Sequence, residues 1–160
     1  MQAPLQFFNA SCVKKGGAMN IVIFHNPNCG TSRNVVKIVK DAGYTPNVIE
    51  YLIAGWSIPQ LKTLFATAGI TAHEALRVSK TPAEEMGLTS PEVTEEQLLE
   101  AMVAHPILVN RPFVACKGQV RLCRPSGEVL SLLKQWPTSP YAKEDGSLLI
   151  DADGLPLKGA

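Results

Sequence analysis

The sequence contains no apolar run long enough to cross a bilayer; its longest candidates, such as residues 21–24, are strand-sized. It also lacks any C-x-x-C, so neither a zinc ribbon nor a dithiol redox motif is written in it. Neither charge sign prevails: Lys+Arg number 15 and Asp+Glu 14, a net charge of +1. Without a global positive field, sequence-independent binding to nucleic acid has little to act through, although a few clustered arginines could still hold a small anion. Cysteine is sparse, at Cys12, Cys29, Cys116 and Cys123. A chain of 160 residues with 46% hydrophobic content can bury a core without disulfide staples. A mixed zinc site from His25, Cys29, His105 and Cys116 has no ligand spacing to recommend it, so no metal is expected. These absences leave one compact, soluble domain, expected in the cytoplasm and without membrane or nucleic-acid partners.

Residues 1–19 differ in character from the rest. Lys14 and Lys15 follow the short apolar piece instead of preceding it, the wrong order for a signal peptide. The segment is expected to be a disordered extension, with no function for Cys12, and residues 20–160 to form the domain. Residues 21–24 are a short β-branched run, read as a buried strand and broken by His25, Asn26, Pro27 and Asn28. A helix then begins near Thr31 or Ser32, carries Val35, Val36, Ile38, Val39 and Ala42 on one face, and stops at Gly43. Residues 48–52 read as a second strand, completing a βαβ unit of about thirty residues. Three capping boxes mark helix starts: Ser57 with Gln60, Thr81 with Glu84, and Thr94 with Gln97. The first of these helices carries Leu61, Leu64, Phe65 and Ala68. The second, with Pro82 at its first position, closes near Gly87. The third turns Leu98, Leu99, Met102 and Val103 inward. Residues 107–109 and 113–116 read as strands, with residues 120–123 as a hairpin partner beyond Gly118. A last helix starts at Pro125 and Ser126 and carries Val129, Leu130, Leu132 and Leu133; after Pro137 only residues 148–150 are expected to pack. This order predicts an α/β, thioredoxin-like mixed sheet flanked by helices, with a helical insertion before the final β-hairpin.

Cys29 is the candidate nucleophile. It follows the first strand and immediately precedes the first helix, where free amides and the helix dipole stabilise an anion. Gly30 lets a ligand approach the backbone, and Thr31 and Ser32 add hydroxyl donors. Ser32 stands where a dithiol enzyme carries its second cysteine, so a redox cycle at Cys29 needs a thiol from outside. Most free cysteines are small buried hydrophobes; the strand-to-helix position beside His25 and Gly30 favours a reactive thiol here. His25 either supports the thiolate or orients the loop. After Arg33 come Arg77, Arg111, Arg121 and Arg124, and both Arg111 and Arg124 precede a proline at the end of a strand-like segment. In this topology the loop before the hairpin approaches the loop after the first strand, so Arg111 is expected to face Cys29. A guanidinium offers a tetrahedral oxyanion two parallel charge-assisted hydrogen bonds. One surface arginine means little; several around a thiolate make an anion site. The Cys29-to-Arg33 spacing is too short for the phosphate-wrapping Cys-x5-Arg loop of phosphatases.

The string from His25 to Asn34, HNPNCGTSRN, strongly resembles the active-site segment of the glutaredoxin-linked arsenate reductases. Two more segments carry the resemblance in the same order: HPILVNRP, ending at Pro112, and RLCRPS, beginning at Arg121. It extends over about residues 20–146, while residues 52–56, LIAGW, depart from the family's Pro-rich pattern there. The resemblance implies a thioredoxin-like core with Cys29 as nucleophile and His25 assisting it. Arg77, Arg111 and Arg124 match the oxyanion-binding arginines, and the Arg111–Pro112 bond matches a cis-proline position. The implied reaction is attack of Cys29 on arsenate, then reduction of the adduct by glutathione as co-substrate, with no tightly bound cofactor. Arsenite leaves, and glutaredoxin clears the mixed disulfide. Two other readings stand beside this one. A Spx-type regulator that contacts RNA polymerase would carry a C-x-x-C where Ser32 stands, and a monothiol glutathione-dependent reductase or transferase would turn the same thiol on another acceptor.

Overall fold

The computed structural model describes residues 19–160. The extension expected over residues 1–19 falls, but for its last residue, outside them, and Cys12 with it. The domain opens with β1 (Ile21–His25), α1 (Gly30–Asp41) and β2 (Asn47–Glu50). Helices α2 (Tyr51–Ala54), α3 (Ile58–Ala68), α4 (Ala72–Ala75) and α5 (Glu95–Ala104) follow. The hairpin of β3 (Phe113–Cys116) and β4 (Gln119–Leu122) comes next, and the chain closes with β5 (Tyr141–Ala142) and β6 (Leu148–Ile150). The main sheet has the order β2-β1-β3-β4. β1 runs parallel to β2 and antiparallel to β3, so the sheet is mixed and the fold thioredoxin-like, as expected.

Both faces of this sheet are covered, which is why β1 and β3 read as continuous apolar runs. Successive residues of a strand point to opposite faces. Val22, Phe24, Phe113 and Ala115 therefore join α3 and α5 in one core, through Leu61, Leu64, Leu98 and Met102. Ile21, Ile23, Val114 and Cys116 enter the other core, with Val35, Ile38 and Val39 of α1 and with Leu149 and Ile150 of β6. The capping boxes of Ser57–Gln60 and Thr94–Gln97 are both formed. Gly43 ends α1 as expected, adopting φ 95 where an L side chain would be strained. No helix among the described residues is long and apolar enough to cross a membrane.

Several local expectations are corrected. The second strand stops at Glu50, because Tyr51 and Leu52 already belong to α2. The segment after Thr81 is no helix. The Thr81 hydroxyl lies 2.6 Å from the Arg77 carbonyl and 2.9 Å from that of Val78, and it accepts from the Ala83 amide instead of capping Glu84. A single turn follows, closed by the Met86 amide on the Pro82 carbonyl. Capping instead appears at Thr71 and Glu74, which start the unforeseen α4. Pro106 imposes a 3-10 turn, Pro106–Leu108, where a strand was expected, leaving only an isolated bridge between Leu76 and Val109. The last helix is a 3-10 segment, Ser126–Leu132, and Val103 is exposed instead of inward.

Candidate active site

Because β1 and β2 are parallel, their C-terminal ends share one edge of the sheet, where open α/β sheets place their ligands. The loop after β1 is a compact turn. The Asn26 side chain accepts from the Asn28 amide at 2.9 Å, and the Asn26 carbonyl accepts from the Cys29 amide at 3.0 Å. This delivers Cys29 to the N-cap of α1 in an extended conformation, with no side-chain oxygen capping the helix and no acid in its first turn. The first-turn amides are therefore left to an anion, and the thiol sulfur stands among them.

Cys29 is only 7% exposed. Burial pushes its thiol pKa up, but the Ser32 backbone N–H and the guanidiniums of Arg111 and Arg124 push it down, and the net shift is downward. Arg124 donates from Nη1 to Cys29 Sγ at 3.6 Å and to the Arg111 carbonyl at 2.9 Å. Arg111 is 6% exposed, and its Nε and Nη1 are buried with no hydrogen-bond partner. Arg77 is half-buried and donates from Nε to the Ser79 carbonyl at 3.2 Å. Burial lowers its pKa first, and the nearby charges of Arg111 and Arg124 lower it further, against the opposing pull of Cys29. Two guanidiniums, Arg111 and Arg124, thus meet at the thiol with Arg77 within reach of their charge, and two N–H groups of the most buried one have no protein acceptor. Buried charged donors are rarely left so; the arrangement is that of a small-oxyanion site.

His25 is placed differently from a direct assistant. Its Nδ1 lies 2.8 Å from Ser32 Oγ, and that oxygen also accepts from the Asn26 amide at 3.0 Å. Burial lowers the His25 pKa, with Glu50 opposing. The imidazole therefore holds the turn of the helix whose Ser32 amide faces the thiol, and the Ser32 hydroxyl, fully buried, is occupied there. Gly30 and Thr31 form the first turn of α1 beside it.

Some features of the site escaped the sequence. Arg33 forms a two-pronged pair with Glu144, 2.7 and 3.2 Å, and donates from Nη1 to the Pro27 carbonyl at 2.9 Å. The Glu144 amide in turn donates to Asn34. The turn between β5 and β6 is thus clasped to the Cys29 loop, and a Cβ on Gly30 would come within 3.3 Å of the Glu144 carboxylate. Tyr51 also reaches the site. As the residue after β2 it sits at the same sheet edge as the Cys29 loop, a placement the parallel pairing alone would have given. Cys116 and Cys123 are free and buried; burial raises both thiols, Cys123 to about 12.

A family model described as the ArsC family matches residues 24–132. The chain belongs to that family. An arsenate reductase of Synechocystis sp. is 58% identical over 134 residues, 84% of this chain and 96% of its own length. One from Rhizobium meliloti is 46% identical over 136 residues, covering 85% and 97%. Among solved structures, an arsenate reductase from Vibrio cholerae superposes with a TM-score of 0.69 at 36% identity, over 72% of this chain and 99% of its own. The ArsC match begins inside β1 and ends within the 3-10 segment after Arg124, so it spans Cys29 and all three arginines.

Proposed function

We propose that this ArsC-family protein reduces arsenate to arsenite through the thiolate of Cys29. The observation that carries this reading is the pair of buried, unpartnered Arg111 donors beside a thiol whose pKa is drawn down. The arsenate reductases of Synechocystis and Rhizobium, similar over nearly their full lengths, support the substrate. Arsenate is a dianion near neutral pH, and bringing it to a thiolate sets anion against anion. Arg111, Arg124 and Arg77 offset that repulsion and hold the charge that builds up as sulfur adds. The Cys29 sulfur bonds to arsenic, one As–O bond breaks, and the oxygen leaves as hydroxide or water.

Reduction then needs a second thiol. Among the described residues the other cysteines, Cys116 and Cys123, are buried with raised pKa values. Glutathione is the reducing co-substrate in this reading. Its thiolate attacks Cys29 Sγ, the S–As electron pair stays on arsenic, and As(V) becomes As(III), which departs as arsenite. Cys29 is left in mixed disulfide with glutathione, and glutaredoxin clears it by thiol exchange. His25 keeps the Ser32 turn in place, while Gly30, Thr31 and Ser32 present the first-turn backbone to the oxyanion. A cytoplasmic location belongs to the same reading, because a catalytic free thiol works where the medium keeps thiols reduced.

The test is arsenite production from arsenate with glutathione, glutaredoxin and an NADPH-regenerating system. The wild type turns over and Cys29→Ser does not. A folded wild type whose Cys29 can be alkylated, yet which yields no arsenite, refutes the proposal.

A further inference from the structure

Tyr51 is fully buried, and its hydroxyl donates to the Val109 carbonyl at 3.0 Å. That carbonyl belongs to a short rung joining the two arginine-bearing segments. Leu76 bridges Val109, the Arg77 amide donates to the Leu108 carbonyl at 2.7 Å, and the Asn110 amide donates to the Ala75 carbonyl at 2.8 Å. One phenol thus ties the C-terminal end of β2 to the two bridged segments that present Arg77 and Arg111. Having given its proton to Val109, the phenol oxygen keeps lone pairs for the Arg111 guanidinium beside it. Burial raises the phenol pKa to about 12, while Arg111 and Arg77 draw it down and Cys29 raises it, as expected of a group standing among all three. The ring is held independently, by Trp56 at 5.3 Å between centroids.

We propose that Tyr51 is a positioning residue for oxyanion binding: its hydroxyl fixes the rung carrying Arg77 and Arg111 and holds the Arg111 guanidinium beside Cys29, with Nε and Nη1 left free of protein acceptors. Tyr51 touches neither the anion nor the thiol in this role; it acts through Arg111. The inference rests on the arsenate reading for its substrate, but its structural content does not.

Tyr51→Phe keeps the ring packing and removes only the hydroxyl. A hydrogen bond holding a charged group is worth a factor of roughly ten to a hundred and fifty in an equilibrium, and Tyr51 acting through Arg111 is placed at the lower end. The expected result is an arsenate KM raised about tenfold with kcat changed by about twofold or less. A second readout does not depend on turnover: inorganic phosphate or arsenate should protect Cys29 from iodoacetamide at about tenfold higher concentration in Tyr51→Phe than in wild type. Tyr44→Phe is the structural control, since the Tyr44 hydroxyl accepts from the Lys134 and Gln135 amides away from the site. In an Arg111→Lys background, Tyr51→Phe should have little further effect, because the pair acts as a unit. Should Tyr51→Phe not fold, difluorotyrosine at position 51 keeps the shape, weakens the phenol oxygen as an acceptor, and should shift protection the same way. Unchanged oxyanion protection in a folded Tyr51 variant, or equal changes in Tyr44→Phe, overturns the proposal. A wild type that binds oxyanion but makes no arsenite overturns only the arsenate reading.

Discussion

Replacing Arg124 by methionine removes one positive charge from the thiol while keeping most of the side chain's length. Nη1 of Arg124 lies 3.6 Å from Cys29 Sγ. At that separation two unit charges interact by about 1 kcal/mol when fully screened by water, and by about 5 kcal/mol at an effective dielectric of about 20. Hydrogen bonds to charged groups, measured by removal, run at about 1.5–3 kcal/mol, which falls between those limits. With about 1.4 kcal/mol per pKa unit, Arg124→Met should raise the Cys29 pKa by roughly 1 to 2. Loss of the Arg124 bond to the Arg111 carbonyl acts in the same direction, because it loosens the second guanidinium. The assay is the rate of iodoacetamide alkylation against pH, with the modified residue located by mass spectrometry. At a pH below both midpoints, the thiolate fraction and with it the rate should fall roughly tenfold to a hundredfold. Arg121→Met is the control: Arg121 pairs with Glu128 at 3.0 Å on the surface, and the midpoint should stay put. A folded Arg124→Met protein with the wild-type midpoint would show that the Ser32 amide and Arg111 alone set the thiol pKa, and the assignment of Arg124 to the site would fail.

The depressed thiol pKa also makes stability pH-dependent. Its contribution is fully present above the ordinary thiol value and lost as pH falls through the lower, folded-state value. The stability difference between wild type and Cys29→Ser, from urea denaturation, should therefore grow with pH across that window and then level off; a flat difference contradicts the lowered pKa. Phosphate has the shape and charge of arsenate and should compete with it at the three arginines. Steady-state kinetics should show a raised arsenate KM with unchanged kcat, and a fall in kcat instead would place phosphate elsewhere.

The parts of the fold legible in the sequence are those fixed by short-range chemistry. The βαβ unit, the Ser57 and Thr94 helix starts and the β3–β4 hairpin each follow from a local pattern of apolar spacing, capping or turn residues. Thr81 shows the limit of such patterns. Its sequence spacing to Glu84 is that of a capping box, but its hydroxyl lies against the carbonyls of Arg77 and Val78. Thr71 and Glu74 carry the same spacing and do form the box, so the motif alone cannot choose between them. Cys29 was legible because a strand-to-helix junction is a local feature with a known electrostatic consequence. The Arg33–Glu144 clasp was not, since its partners lie 111 positions apart and nothing in either segment points to the other. Tyr51 was hidden differently: the parallel pairing puts it at the same sheet edge as the Cys29 loop, but its hydroxyl bond to the Val109 carbonyl joins residues 58 positions apart.

Counting charge at the site explains why a dianion belongs there. Arg77, Arg111 and Arg124 against one thiolate leave a surplus of two positive charges, all half-buried or buried. Such a surplus is unfavourable by itself, because buried charge is tolerated only when paired. A tetrahedral dianion removes the surplus and supplies acceptors for the idle Nε and Nη1 of Arg111. The same balance fits any dianion of that shape, so recognition by charge and geometry cannot be what separates arsenate from phosphate. The separation has to come after binding, at the thiolate. Sulfur adds to either centre only if the adduct has a favourable way forward: a second thiol that attacks the adduct's sulfur can leave the S–As bonding pair on arsenic, reducing As(V) to As(III), whereas phosphorus has no comparable route. In the proposed reaction the lowered thiol pKa and reduction by an external thiol therefore give the site its chemistry, while the arginines decide only what can occupy it.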